Sequence, residues 1–142
     1  AKIADILTHI RAKFGVAIML DLHSMPPIRT AQTGTPPQFV IGDRFGQSAG
    51  SQYAELLSEQ IRMRGYNAAL NHPYAGEYIL RRHAKPRANI HALQLEVDRS
   101  LYLDTALREP GSGLTAMQTL VGDLVYALAD QALGTATLIA AE

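Results

Sequence analysis

The sequence has no cysteine, so disulfides, thiolate metal sites and a cysteine nucleophile are excluded. It also has no excess charge of either sign: 13 basic and 13 acidic residues give a formal net charge of zero. This balance removes the electrostatic case for nucleic acid or an anionic membrane surface as partner. No apolar run approaches the roughly 20 residues that span a bilayer, and no basic segment followed by an apolar block opens the chain. We therefore expect a cytoplasmic protein with a small-molecule substrate, in which any metal is bound by His, Asp or Glu.

The 142 residues, 47% of them hydrophobic, are enough for one sizeable core, so we expect a single domain over residues 1–142. Apolar residues recur at helical spacing in three segments and form short strand-like runs in four others. The predicted helices are 1–14, 48–64 and 113–133, the last followed by an Ala/Thr tail, and the predicted strands are 16–22, 38–41, 66–70 and 92–98. This order predicts an α/β fold: a layered domain with a mostly parallel or mixed central sheet flanked by helices.

Two long segments between these elements are predicted to be loops. Residues 24–37 contain four prolines and a glycine, and residues 71–86 are rich in polar residues, glycine and proline. Loops of this length usually line functional sites. Because ligands of such sheets collect outside the carboxyl ends of strands, the residues that follow predicted strands are candidates for a site.

His23 lies at the carboxyl end of the first predicted strand. A neutral imidazole held by a strand is a good zinc ligand, since its other ring nitrogen can bond a neighbouring group such as Asp21 or Ser24. A single histidine after an apolar strand is also common as a hydrogen-bonded structural residue. The residue alone leaves both interpretations open.

Glu96 lies in the middle of a strand in which apolar and polar residues alternate. Gln94, Glu96 and Asp98 share one face. His91 falls on the opposite face, where either packing or indirect support of a site residue is expected. The polar face is either the solvated side of an edge strand or a set of side chains that faces a cavity. In a cavity, a glutamate beside a metal-bound water is a natural general base.

Three arginines in the strand-end loops are candidates for binding a substrate carboxylate. Arg44, Arg81 and Arg82 each carry a guanidinium group that can form two parallel hydrogen bonds with a carboxylate. Ordinary solvated surface charge is the alternative for each of them. The absence of a Gly-x-Ser-x-Gly elbow and of a phosphate-binding glycine signature argues against a serine hydrolase and against dinucleotide binding.

Four segments of the chain resemble the N-formylglutamate amidohydrolases. They are DLHSMP at 21–26, IGDRFG at 41–46, NHPYAGEYI at 71–79 and HALQLEVDRSLY at 91–102. They occur in the right order and cover most of residues 16–104. The family is similar to the zinc carboxypeptidases and aspartoacylases, so the resemblance implies an α/β sheet sandwiched between helices.

The resemblance also implies roles for these residues. His23 looks like the third zinc ligand and Glu96 like the general base acting on zinc-bound water. Arg44 and the pair Arg81 and Arg82 look like the groups that bind the glutamate carboxylates, and Tyr78 is a further candidate for a hydrogen bond to substrate. The implied enzyme is a zinc-dependent amidohydrolase that converts N-formyl-L-glutamate to formate and L-glutamate in bacterial histidine catabolism.

The chain departs from the family pattern at its amino end. None of its five histidines is followed three residues later by a glutamate, so the first two metal ligands are expected upstream of residue 1 and the domain is expected to be truncated there. The alternative is a non-catalytic family member or fragment that binds a small carboxylate ligand. If the site interpretation is right, the side chains of His23 and Glu96 should converge. Projection to opposite faces of the sheet would contradict it.

Overall fold

The structure is a computed structural model that describes residues 2–29 and 34–140, with the backbone alone for 135–140. These residues contain four α-helices and four β-strands, with two strands in succession after the first helix. The helices are α1 (Lys2–Phe14), α2 (Ser51–Met63), α3 (Tyr78–His83) and α4 (Leu114–Ala140), and the strands are β1 (Ala17–Met25), β2 (Phe39–Gly42), β3 (Ala68–Leu70) and β4 (Ile90–Asp98). Short 3₁₀ turns flank β4 at Pro86–Ala88 and Arg99–Leu101.

The four strands form one mixed sheet in the order β1-β4-β2-β3. β1 and β4 are parallel, β2 runs antiparallel to β4, and β3 is parallel to β2. The predicted α/β architecture with a mixed sheet between helices is therefore confirmed. β4 lies inside the sheet and all nine of its residues are buried, so the interpretation of its polar face as the solvated side of an edge strand is wrong.

The two faces of the sheet are covered differently. Helices α2 and α4 pack on one face and form the main apolar core with residues of β2 and β4, including Phe39, Leu93, Leu95 and Leu124. On the other face, α1 packs Leu7 against Ala17 and Ile90, near the amino ends of β1 and β4. The contacts of α1 on this second face therefore lie at the amino ends of β1 and β4, away from their carboxyl ends.

Three segments differ from the sequence prediction. β1 continues to Met25, beyond the predicted end, because its backbone pairs with β4 through Met25 and Asp98. The segment predicted as a second loop contains α3, a helix of six residues with only Leu80 buried, which is too short to show a helical period. α4 continues to Ala140 through the predicted tail, whose alanines favour helix.

The other boundaries agree more closely with the prediction. α2 begins at Ser51, three residues after the predicted start. Residues 26–29 and 34–37 of the first predicted loop form neither helix nor strand, while 30–33 lie outside the described residues. Across the described part of the chain, no helix is both long and apolar enough to span a membrane.

Candidate active site

His23 and Glu96 lie side by side on the same face of the sheet. They are direct partners in the parallel register of β1 and β4. Side chains alternate between faces along a strand, and paired residues of parallel strands project to the same face. Projection to opposite faces is thereby excluded, and the two residues lie beside each other near the carboxyl ends of their strands.

The Glu96 carboxylate is buried, with 6% of the residue exposed. Gln94 Nε2 donates a hydrogen bond of 2.8 Å to Glu96 Oε1. Burial raises the pKa of Glu96 above its ordinary value of 4.5, and the neighbouring His23 and the bond from Gln94 partly oppose this rise. The result is a carboxylate that accepts a proton more readily than an exposed glutamate does.

The imidazole of His23 contacts a carboxylate on its own strand. His23 Nε2 lies 2.9 Å from Asp21 Oδ2, and the His23 side chain is 48% exposed. This contact orients the ring and leaves Nδ1 as the nitrogen that can bind another group. Ser24, the other candidate neighbour, accepts a hydrogen bond of 3.3 Å from Arg99 Nε instead.

The described residues do not contain a complete metal site. A catalytic zinc is held by three protein ligands and keeps one position open. Residues 2–29 and 34–140 contain no group of three His, Asp or Glu side chains placed to hold an ion. His23 with its Asp21 contact therefore fits a single ligand position.

The backbone of the loop after β3 passes close over the polar face of the sheet near Gln94. Gly42 of β2 is the register partner of Gln94. A Cβ atom at Gly42 would lie 2.6 Å from the carbonyl carbon of Ala75, so glycine is the residue that lets the loop after β3 cross the sheet here. This loop therefore covers the part of the polar face that β2 contributes.

Of the three arginines, Arg44 is the one fixed by the fold at a strand end. It lies two residues after β2, and because β2 is antiparallel to β4, this strand end lies beside the amino half of β4 and not at the edge where His23 and Glu96 lie. Arg44 is partly buried, and its backbone N–H donates to Ala75 O at 2.8 Å. Arg81, Arg82 and Tyr78 lie on α3 and are exposed to solvent. The described contacts connect none of these three with His23 or Glu96, and their roles stay predictions.

Several site features are absent from the sequence interpretation. The sequence places Gln94 on the polar face but does not indicate its hydrogen bond to Glu96. Asp43 and Asn71 are buried and bonded to each other, although a Gly-Asp and a Leu-Asn step indicate no more than turns. No signal in a single sequence joins two residues that are 28 positions apart.

His91 has the packing role expected from its face. Its ring centroid lies 4.8 Å from that of Tyr53, and its Nδ1 accepts a hydrogen bond of 3.1 Å from the backbone of Gly50. Burial lowers the pKa of His91. The residue belongs to the apolar side of the sheet and not to the site.

Two concave regions lie on that same apolar side. A groove of about 310 Å³ between α1, α4 and β1 has an almost wholly apolar lining. A second cavity of about 510 Å³ includes Leu22, His23, Val97 and Met117, near the start of α4. The second cavity therefore touches the candidate site at His23, while Glu96 and Arg44 line neither cavity.

Comparison with known proteins gives one consistent family. A family model described as N-formylglutamate amidohydrolase matches residues 1–103, a range that includes every candidate site residue named above. An N-formylglutamate deformylase from Pseudomonas aeruginosa is 32% identical over 104 residues, which are 72% of this chain and 39% of that protein. One from Pseudomonas putida is 34% identical over 100 residues, 69% of this chain and 38% of that protein.

A solved structure agrees with these relatives. The crystal structure of an N-formylglutamate amidohydrolase from Ralstonia eutropha JMP134 matches with a TM-score of 0.70 and 29% identity, over 92% of this chain and 47% of that chain. The chain thus spans less than half the length of each relative.

Proposed function

Because the chain belongs to the N-formylglutamate amidohydrolase family, we propose that it carries the general base and part of the substrate site of an amide hydrolase. The proposed reaction converts N-formyl-L-glutamate and water to formate and L-glutamate. One observation supports this most strongly: the register of β1 and β4 sets His23 beside Glu96 on one face, at the carboxyl ends of the strands. This is the edge of an α/β sheet where ligands bind.

Glu96 is the proposed general base. Its carboxylate takes a proton from the attacking water, whose oxygen forms a bond to the formyl carbon. As the C–N bond breaks, Glu96 passes that proton to the departing nitrogen of glutamate. The raised pKa suits both steps, because a stronger base takes the proton more readily and burial keeps bulk water away. Gln94 holds the carboxylate in place during the transfer.

His23 is the proposed zinc ligand of this chain. A bound zinc would polarise the formyl carbonyl and acidify the attacking water. Asp21 supports the assignment because its contact with Nε2 fixes the ring, as neighbours of ligating histidines do. Residues 2–29 and 34–140 contain no group of three metal-ligating side chains, and we expect the further ligands that the family resemblance implies elsewhere in the protein.

Binding of the substrate carboxylates is proposed for Arg44, Arg81 and Arg82, with Tyr78 as a further hydrogen-bonding group. Arg44 has the stronger support, because its backbone is hydrogen-bonded to the loop that covers the polar face near Gln94. The α3 residues are supported by their exposure and by the family resemblance. A role in histidine catabolism and a cytoplasmic location stay predictions from the sequence.

The test combines metal analysis of the purified intact protein with turnover of N-formyl-L-glutamate. We expect bound zinc and release of formate. Glu96→Gln should lower kcat by about 10²- to 10⁴-fold, the usual contribution of a general base. Glu55→Gln is the matched control, since Glu55 is exposed on α2, and it should leave kcat unchanged.

Two outcomes would contradict the proposal. Full activity of the Glu96→Gln variant would remove Glu96 as the base. Binding of N-formyl-L-glutamate by the wild-type protein without any turnover would favour the alternative of a non-catalytic member that binds a small carboxylate. Turnover of N-acetyl-L-glutamate, measured in parallel, shows which acyl group the protein accepts, since the carboxylate-binding residues do not distinguish formyl from acetyl.

A further inference from the structure

Two adjacent residues at the end of β2 have left-handed backbones. Arg44 has a φ of 52° and Phe45 a φ of 56°. For residues with a side chain, this conformation costs about 1–2 kcal/mol each. Phe45 is 65% exposed, and its ring contacts the His72 ring edge-to-face at 6.0 Å between centroids, so packing offsets only part of this cost. A turn that served only to reverse the chain would avoid this cost with glycine, so other contacts must hold these two residues.

The loop after β3 provides those contacts. Asn71 Oδ1 accepts hydrogen bonds from the backbone N–H of Asp43 at 3.0 Å and of Phe45 at 3.3 Å. Between them, the N–H of Arg44 donates to Ala75 O at 2.8 Å. Three consecutive backbone donors, centred on Arg44, are therefore bound by one neighbouring loop.

Asp43 completes the arrangement. Asn71 Nδ2 donates to Asp43 Oδ1 at 2.8 Å, and the same oxygen accepts from the N–H of Gly46 at 3.0 Å. Asp43 is 4% exposed and Asn71 is 6% exposed, so water competes little for these bonds. We call this set of hydrogen bonds the Asp43–Asn71 interlock.

We propose that Asp43 and Asn71 are positioning residues for Arg44. The interlock fixes the strained backbone from which the Arg44 guanidinium reaches a substrate carboxylate. The inference rests on the proposed function, which takes Arg44 as a substrate-binding residue. Neither Asp43 nor Asn71 touches the substrate; both act through the direction in which they hold Arg44.

The test is a double-mutant cycle on the intact protein with N-formyl-L-glutamate as substrate. Asn71→Gly removes the amide but keeps the left-handed backbone, since Asn71 has a φ of 62°. We expect it to raise KM by about 10- to 100-fold, as misplacement of a binding group does, with a smaller change in kcat. In an Arg44→Gln background the same substitution should change KM no further, because there is no guanidinium left to position.

Two further variants separate positioning from folding. Asp43→Asn keeps an acceptor oxygen for Asn71 and Gly46, and it should retain most of the wild-type affinity. Asn89→Gly is the matched control: Asn89 also has a left-handed backbone, with a φ of 58°, but it lies at the amino end of β4. If Asn71→Gly does not fold, Asp43→Ala replaces it in the cycle, because it removes the acceptor of Asn71 Nδ2 and of the Gly46 N–H without adding a buried charge.

An unchanged KM in Asn71→Gly would overturn the inference, as would independent effects of the Asn71 and Arg44 substitutions. If the wild-type protein does not hydrolyse N-formyl-L-glutamate, the proposed function fails and the interlock is judged by NMR. In that case Asn71→Gly should shift the Arg44 Nε resonance and speed amide exchange at Asp43 and Phe45. Unchanged resonance and exchange would refute the interlock itself.

Discussion

The two faces of β4 differ in chemistry although both are buried. Leu93, Leu95 and Val97 face α2 and α4, whereas Gln94, Glu96 and Asp98 face the candidate site. Burying one aliphatic side chain stabilises a fold by about 1.5–3 kcal/mol, while burying a polar group costs free energy unless it finds a partner. The apolar face of β4 therefore stabilises the domain, whereas its polar face lowers the free energy of unfolding unless its side chains are hydrogen-bonded.

The cost on the polar face is partly offset by local hydrogen bonds. Gln94 bonds Glu96, and Asp98 Oδ1 accepts from the backbone N–H and the hydroxyl of Ser100 at 2.8 and 2.7 Å. Asp98 therefore has a structural task at the strand end. The bond from Gln94 engages Oε1 of Glu96, and Oε2 is the oxygen proposed for proton transfer.

Truncation on the apolar face should give the largest loss of stability. Leu95 is fully buried, and Leu95→Ala should lower the free energy of unfolding by about 2–5 kcal/mol through lost burial and the cavity that remains. Its register partner Leu22 is 53% exposed. Leu22→Ala is the matched control and should cost less than about 1 kcal/mol. Urea denaturation of both variants measures the difference; equal losses would contradict the assignment of the core.

Adding a methyl group at Gly42 should displace the cover of the polar face. Gly42→Ala places a Cβ against the Ala75 carbonyl carbon, and overpacking of this kind costs about 1–3 kcal/mol. Gly122→Ala is the control, since a Cβ at Gly122 of α4 meets no atom within 4 Å; it should stabilise the helix by about 0.5–1 kcal/mol. Thermal unfolding would distinguish them, and a Gly42→Ala variant as stable as the wild type would show that the loop does not cross the sheet there.

His91 is the titratable group of the apolar face, and its protonation should destabilise the fold. Burial lowers its pKa, so the unfolded chain takes up the proton first, at its ordinary pKa of 6.5. The stability that neutral His91 contributes is therefore present above about pH 6.5 and lost as the pH falls below it, by at most about 1.4 kcal/mol per pH unit.

The measurement is the free energy of unfolding between pH 5 and 8 for the wild type and for His91→Gln. The variant should lose this part of the pH dependence, whereas His9→Gln, at an exposed position of α1, should keep it. A wild-type curve that matches the His91→Gln curve would show that His91 does not titrate differently in the two states.

Much of the fold followed from local patterns. The alternation in residues 92–98 predicted the two faces of β4, and the apolar run before His23 predicted β1. The pattern could not show whether the polar face meets solvent or a cavity, because that depends on β4 lying between β1 and β2 in the sheet. Position in a sheet is set by long-range pairing, which no short window of sequence contains.

The candidate site was predictable where a side chain is unusual for its position and hidden where it is ordinary. A glutamate within an apolar strand and a histidine at a strand end both stand out. Asp43 and Asn71 do not, because aspartate and asparagine are common in turns. The hydrogen bond between Asp43 and Asn71 depends on the pairing of β2 with β3, which no local pattern in the sequence contains.

The most direct test of the account measures stability and turnover together in Glu96→Gln. The folded-state pKa of Glu96 is raised, so its contribution to stability is fully present below the ordinary pKa of 4.5 and lost as the pH rises through the folded value. At pH 7 the neutral glutamine should therefore stabilise the fold relative to wild type, while kcat for N-formyl-L-glutamate falls by about 10²- to 10⁴-fold. A variant that is less stable at pH 7, or one that keeps wild-type turnover, would contradict the claim that this face bears a buried charge for the sake of catalysis.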